Sequence, residues 1–258
     1  VMGILNVTPD SFFSGSRKQT EHDIANRAVQ IAAEGGAIID VGAFSTRPGA
    51  FEVTEEEERR RLREALEIVR REVPHLPISV DTYRPGVARS CIEEWGADII
   101  NDVSEGGITG IVNTPIHEQE SMFDVVGQLK CPYILMSVKP NLHDMLIAFA
   151  DEVQQLRDRG VKDIILDPGF GFGKTVEQNY EIYRQMERLQ TLELPLLVGI
   201  SRKSMIWKLV GGTPETALNG TTVLHTIALQ KGAAILRVHD VKEAVETVRI
   251  VAAASTDR

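Results

Sequence analysis

Three residues of this chain are of the types that could grip a flat, hydrogen-bonding ring. Asp81, Asn101 and Asp167 each follow a short apolar run directly: Ile78–Val80, Asp98–Ile100 and Ile164–Leu166. Two carboxylates and an amide around one cavity suit a planar heterocycle with several N–H donors and one mixed edge. On a guanidine-like 2-amino-4-oxo edge, two parallel N–H groups meet the two oxygens of a carboxylate. A plainer reading, that each residue only caps the loop after it, serves for one of them and less well for three. A second group is cationic. Gly199-Ile-Ser-Arg-Lys-Ser supplies Arg202 and Lys203, and Arg237-Val-His-Asp supplies Arg237 and His239. Arg237 and His239 stand two apart, so a strand puts them on one face. Against a net charge of −9 the cluster reads as an anion site; cations paired with the aspartates are the alternative. Asn6 offers a neutral oxygen, adequate for one position on a mostly hydrated Mg2+ bound to a substrate phosphate. As an ordinary turn residue it would have no such role.

The loop Asp167-Pro-Gly-Phe-Gly-Phe-Gly-Lys-Thr looks like a phosphate loop but lacks the spacing of one. A Walker A loop needs Gly at position 168, which is Pro, and G-x-G-x-x-G is not formed either. The glycines instead let backbone approach a planar ligand, with Phe172 as an apolar wall. Two further stretches, Asn6-Val-Thr-Pro-Asp-Ser-Phe and Phe44-Ser-Thr-Arg-Pro-Gly, are rich in turn residues. Arg47 in the second is a loop cation able to meet a carboxylate. Segments of this kind commonly act as lids.

These residues need a scaffold that aims them at one place. Apolar runs end at Asn6, Asp40, Asp81, Asn101, Asp167, Ser201 and His239, and an eighth run, Tyr133–Met136, ends in a sulfur. A helix-like stretch follows each. The repeat of about 30 residues in a chain of 258 predicts one α/β domain over residues 1–258, a (β/α)8 barrel of the TIM type. Sites in such barrels lie at the C-terminal strand ends, where these polar residues fall. Strands are expected at Val1–Val7, Ala37–Val41, Ile78–Val80, Asp98–Ile100, Tyr133–Met136, Ile164–Leu166, Leu196–Gly199 and Ile235–Val238. Their continuous apolar character fits parallel strands buried on both faces. The first helix is expected to open at Thr20 with Asp23 as its capping partner and to close at Gly35-Gly36. The second opens with a Thr54/Glu57 capping box and runs to Pro74. Its charge run, Glu55–Arg63, reads as a solvated face laced by i,i+4 pairs, with no binding role. Gly96, Gly160 and Gly232 read as helix C-caps.

The negative charge argues against nucleic acid and anionic membranes as partners. No apolar run approaches the roughly 18 residues of a membrane span. Cys91 and Cys131 lack metal-ligand spacing and read as buried thiols, which suits a reducing cytoplasm.

Taken together, several segments resemble the dihydropteroate synthases of the pterin-binding barrel family. They are Asn6-Val-Thr-Pro-Asp-Ser-Phe, Ile39-Asp-Val-Gly with Ser45-Thr-Arg-Pro-Gly, Ser79-Val-Asp-Thr, Ile100-Asn-Asp-Val, Asp167-Pro-Gly-Phe-Gly-Phe-Gly-Lys, Ser201-Arg-Lys-Ser-Met and Arg237-Val-His-Asp-Val. They span nearly the whole chain in the family's order. The resemblance implies a transferase that joins 6-hydroxymethyl-7,8-dihydropterin diphosphate to p-aminobenzoate, giving 7,8-dihydropteroate and pyrophosphate in folate biosynthesis. It implies Asp81, Asn101, Asp167 and Lys203 as the pterin-binding set, with Met136 and Phe172 as walls and Arg237 over the ring. His239 and Asn6 would join Arg237 in holding pyrophosphate and Mg2+, and Thr46, Arg47, Pro48 and Ser204 would form the p-aminobenzoate side. Asp81, Lys203, Arg237 and His239 are then the catalytic candidates, and a cytoplasmic homodimer through outer helices is expected. The chain departs from the family pattern at Phe13-Ser14, at Ala43-Phe44 and at Ser137, where many members carry His. Two other functions stay open: a methyl-transferring barrel that uses a corrinoid, and a pterin-binding barrel without turnover.

Overall fold

The computed structural model describes residues 1–7, 17–44, 53–106 and 120–255. The parallel strands are β1 (Met2–Asn6), β2 (Ile38–Gly42), β3 (Ile78–Asp81), β4 (Ile99–Asp102), β5 (Tyr133–Met136), β6 (Ile164–Asp167), β7 (Leu197–Val198) and β8 (Ile235–Val238). They pair in the order β6-β5-β4-β3-β2-β1-β8-β7. A bridge between Leu166 and Leu196 brings β6 against the start of β7, so the ring is nearly closed. Among the described residues the helices are α1 (Arg17–Ala33), α2 (Glu55–Glu72), α3 (Pro85–Glu93), α4 (Met122–Leu129), α5 (Leu142–Asp158), α6 (Val176–Arg184), α7 (Ser204–Val210), α8 (Leu218–Gln230) and α9 (Val241–Ala254). This is the expected (β/α)8 barrel, with α7 and α8 both inserted between β7 and β8.

Alternation along the strands sorts the side chains. Outward residues such as Leu5, Val41, Val80, Ile100, Leu135, Leu166, Val198 and Val238 are buried against the helices in the main core. Inward residues near the strand N-termini form a separate apolar cluster of Met2, Ile99, Ile134 and Leu197, packed by Ile38, Ile165 and Ile235. Two residues further along the same faces stand Asp40, Asn101, Met136, Asp167 and Arg237. The barrel is thus plugged with hydrocarbon below and lined with polar groups above. The strands are buried on both faces as expected, but they are not continuously apolar: Asp40, Ser79 and Arg237 lie within them and point into the barrel.

Most expected boundaries shift by one or two residues, because ladder pairing carries the strands through their terminal polar residues. Gly42 pairs with Asp81, Asp81 with Asn101, and Met136 with Asp167. Helix α1 starts at Arg17, so Thr20 is a buried residue inside it and not its cap. At α2 the Thr54 hydroxyl accepts from the Glu57 N–H at 3.2 Å, but the Glu57 carboxylate takes Arg60 and Arg61. A reciprocal capping box forms instead at α6, between Thr175 and Gln178. Gly96, Gly160 and Gly232 have φ of 77°, 88° and 92°, as helix-ending glycines should.

The charge run of α2 is only partly solvated. Arg59–Glu55, Arg60–Glu64, Arg61–Glu57 and Arg63–Glu67 form the expected i,i+4 pairs. Glu58, however, is fully buried, bound to Arg84 and to the Thr82 hydroxyl at 2.7 Å, and Arg61 is buried with a guanidinium N–H on the Ala43 carbonyl. Both inward charges brace the base of the β2 loop and the end of β3. Cys91 and Cys131 are free and buried, and burial pushes the Cys131 thiol up to about 11. No helix among the described residues is long and apolar enough to cross a membrane.

Candidate active site

The polar layer at the C-terminal strand ends is knit by one guanidinium. Arg237, on β8, donates to Asp40 of β2 at 2.7 Å and to Asp81 of β3 at 2.9 Å. The Asn101 side-chain amide on β4 donates to both Asp40 oxygens, at 3.3 and 3.2 Å. Asp40 therefore holds two of the candidate residues in place, and it is fully buried. The sequence marks it only as the end of an apolar run; its inward direction follows from alternation with Ile38 and Gly42. Burial works against the Arg237 charge, but Asp40 and Asp81 outweigh it and hold the guanidinium firmly protonated.

Asp81 has one oxygen on Arg237, while its buried Oδ1 has no partner, and the buried Oδ1 of Asn101 has none either. Orphaned buried acceptors of this kind cost about 1–3 kcal/mol each, and N–H donors from a ligand would relieve them. Burial pushes the Asp81 carboxyl up to about 7, opposed by Arg237 and reinforced by Asp40. Asp167, at the end of β6, is buried with Oδ1 taken by the Gly169 N–H at 2.8 Å. Burial raises its carboxyl too, opposed by the charge of Lys203.

Lys203 donates to the Phe170 carbonyl, and its ammonium lies 4.5 Å from the centre of the Phe172 ring. Burial lowers it to about 8, against the pull of Asp167. Phe172 is half-buried beneath this cation, whereas Phe170 is fully buried against Tyr183. Met136 is also fully buried, and a Cβ added to Gly169 would come within 3.0 Å of its Cγ. The residues expected to form a ring pocket (Asp81, Asn101, Met136, Asp167, Phe172, Lys203 and Arg237) thus stand at or just beyond the C-terminal ends of their strands.

The cationic cluster is largely taken up by carboxylates and carbonyls. Arg202 turns away into a two-pronged pair with Asp240, at 2.8 and 2.9 Å, and onto the carbonyls of Pro214 and Glu215. Arg202 and Arg237 are thus both paired with aspartates, the alternative the sequence left open: Arg202 with Asp240, and Arg237 with Asp40 and Asp81. Lys203 and His239 are the other members of the cluster. The His239 N–H donates to the Ser201 hydroxyl at 3.2 Å, and its carbonyl accepts from Arg27 at 2.7 Å. Ser204 opens α7, half-buried and next to Lys203. Thr46, Arg47 and Pro48 lie outside the described residues, as do Phe13, Ser14 and most of the two turn-rich segments.

A cation site of three or more acidic, His or Cys side chains does not occur among the described residues. Asn6 faces the mouth across Gly42. A Cβ on Gly42 would stand 3.4 Å from the Asn6 amide oxygen and 3.5 Å from the Asp81 Cβ, so glycine leaves open a cradle between them. One amide oxygen beside a carboxylate fits a hydrated hard cation that takes its other ligands from a phosphate.

Comparison with known proteins gives a consistent picture. The family described as pterin binding enzyme matches residues 2–239. The chain is 38% identical to the dihydropteroate synthase of Escherichia coli K12, covering 98% of this chain and 90% of that protein. It superposes on the Clostridium difficile dihydropteroate synthase structure determined with pteroic acid, at TM-score 0.87 and 34% identity, covering 98% and 95% of the two chains. The Xanthomonas albilineans enzyme with 4-aminobenzoic acid gives TM-score 0.86 and 34% identity over 100% and 93%.

Proposed function

The chain belongs to the pterin binding enzyme family, among the dihydropteroate synthases, and from that premise we propose how its barrel mouth performs the reaction. The enzyme is a transferase. The amine nitrogen of p-aminobenzoate forms a bond to the CH2 carbon of 6-hydroxymethyl-7,8-dihydropterin diphosphate. The carbon–oxygen bond to diphosphate breaks with its electron pair on the departing oxygen, and the amine nitrogen then loses a proton.

The observation that carries the assignment is the polar wall with unfilled valences. The free oxygens of Asp81 and Asn101, beside the buried Asp167, would accept the N–H groups of the pterin edge. Met136 and Phe172 would pack on its faces, and Lys203 would donate to its acceptors. The electron-rich ring can carry positive charge at the CH2, so departure of diphosphate can lead bond formation. Asp81, negative and close, would favour that charge. Arg237 and His239 would take the departing diphosphate, with Asn6 holding Mg2+, which would supply charge neutralisation of the phosphate oxygens. An arylamine is nucleophilic without deprotonation, so no strong base is required. Thr46, Arg47, Pro48 and Ser204 would form the p-aminobenzoate side.

A pyrophosphate-release assay with both substrates tests the whole reading. Release dependent on p-aminobenzoate supports it, and pterin binding without release would favour a barrel that lacks turnover. Methyl transfer to a corrinoid fits less well, because it needs no grip on diphosphate at Arg237 and His239. For the anion corner, His239→Ala should weaken the diphosphate substrate at least tenfold more than a pterin lacking diphosphate. Equal weakening would make His239 structural. We further propose a cytoplasmic homodimer through the outer helices, where Leu209, Val210, Val223 and Ile250 are exposed on α7, α8 and α9. Sedimentation equilibrium would read a single-chain mass if that is wrong.

A further inference from the structure

Lys174 ends the glycine-rich stretch that follows β6, just before the Thr175 cap of α6, and it makes no ion pair among the described residues. Its ammonium donates to three backbone carbonyls instead: Ser137 at 2.9 Å, Gly169 at 3.0 Å and Phe172 at 3.2 Å. An ammonium has three donors, so these contacts fill it. Burial lowers it to about 8, with Asp167 and Glu105 holding the charge on. A half-buried cation satisfied only by neutral carbonyls is a costly way to tie a loop unless the loop's shape matters.

That shape is set tightly. Gly169, Gly171 and Gly173 have φ of 63°, 84° and 60°, a region only glycine enters freely. A Cβ on Gly169 would lie 2.2 Å from the Ser137 carbonyl oxygen, so the loop presses onto the end of β5. On its other side Asn179 accepts from the Gly171 N–H at 2.7 Å. Two ring-pocket contacts depend on this path: the Gly169 N–H reaches Asp167, and the Phe170 carbonyl receives Lys203. Two lysines therefore grip carbonyls of one loop, Lys174 at 169 and 172 and Lys203 at 170.

We infer that Lys174 is a positioning residue for the pterin half of the reaction: by gathering the carbonyls of Ser137, Gly169 and Phe172 it holds the β6 loop where it orients Asp167, Phe172 and Lys203 toward the ring. It touches no reacting atom. The inference rests on the proposed pterin site, and its signature is selectivity between the two substrates. A residue that only stabilises the barrel would disturb both.

The test uses the full-length enzyme with Lys174→Met, which keeps the length of the side chain and removes the ammonium. Calorimetry with pterin diphosphate should show at least tenfold weaker binding, and the KM for p-aminobenzoate should stay within twofold of the parent. Pterin affinity within twofold of the parent, or equal increases in both KM values, would overturn the inference. If Lys174→Met does not fold, Lys174→Arg takes its place. Its planar guanidinium keeps the charge but cannot converge on three carbonyls in the same way, so the same selective loss is expected and the same two outcomes refute it. A parent protein that fails to bind pterin at all would refute the reading of the site itself and is recognised before any variant is made.

Discussion

At the scale of the residue, the site is a set of charges held by their neighbours and not fully satisfied by them. Asp167 spends one oxygen on the Gly169 N–H, and the proposed pterin site uses the other. In Asp167→Asn the amide offers one acceptor and a donor that opposes the ring's own N–H groups. Losing a charge-assisted bond costs about 1.5–3 kcal/mol, so pterin affinity should fall at least tenfold by calorimetry; a change under threefold would remove Asp167 from the ring pocket. Asp81 carries a pH signature. Its carboxyl titrates at about 7 because burial disfavours the charge, and the proposed role needs the carboxylate. Below that pH it takes up a proton, so kcat/KM should decline as pH falls through about 7, a limb missing from the residual activity of Asp81→Asn. An acid limb unchanged in that variant would assign the titration elsewhere.

At the scale of the element, strands and helix ends decide which polar residues reach the mouth. Inward positions two apart carry Asp40 above Ile38, Asn101 above Ile99, Asp167 above Ile165 and Arg237 above Ile235, so one periodicity builds both the apolar plug and the polar wall. The start of α2 is tied to the turn between β3 and α3 by a buried pair. Glu58 has no exposed side-chain surface, Arg84 has 9%, and Arg84 also holds the Val53 carbonyl at 2.8 Å. Removing one partner strands the other charge, at about 3–5 kcal/mol. Arg84→Met should therefore lower the urea unfolding free energy by that amount, and adding Glu58→Leu should restore much of it. Loss under 1 kcal/mol in the single variant would show that water reaches Glu58.

Across the whole molecule, the buried ionisable groups outside the mouth shape how the barrel responds to acid. His225 on α8 is 2% exposed, its Nε2 has no partner, and burial lowers it to about 4 against the pull of Asp240. A histidine depressed in the folded state stabilises it above the ordinary value near 6.5, and that contribution is lost as pH falls through about 4. The window is thus pH 6.5 to 4, and the loss is on the order of 3 kcal/mol. His225→Leu should show a shallower fall in unfolding free energy across that window. Parallel curves for parent and variant would mean the imidazole finds water or a proton acceptor in the folded barrel.

The amino-acid sequence by itself determined the barrel, because eight apolar runs of strand length, each followed by a helix-forming stretch, leave few other ways to bury so much hydrocarbon. It also determined which polar residues stand at the C-terminal mouth, since a polar residue directly after such a run falls at that end of its strand. Asp81, Asn101 and Asp167 were legible for that reason, and so were Lys203, Arg237 and His239 as cations out of keeping with an acidic chain. Partnership was left to the tertiary structure. Arg202 and Arg237 look alike as residues on the same rim, yet one is absorbed by Asp240 and the other bridges Asp40 and Asp81. Asp40 and Arg237 are 197 positions apart, and no local pattern foretells their contact. Glu58 sits in a run of charges that reads as solvated until α2 is laid on β3, and Lys174 reads as one more lysine until three carbonyls from two loops converge on it. Local periodicity encodes direction; only packing brings distant charges within reach of one another, and at those distances desolvation and pairing decide which of them a ligand can still meet.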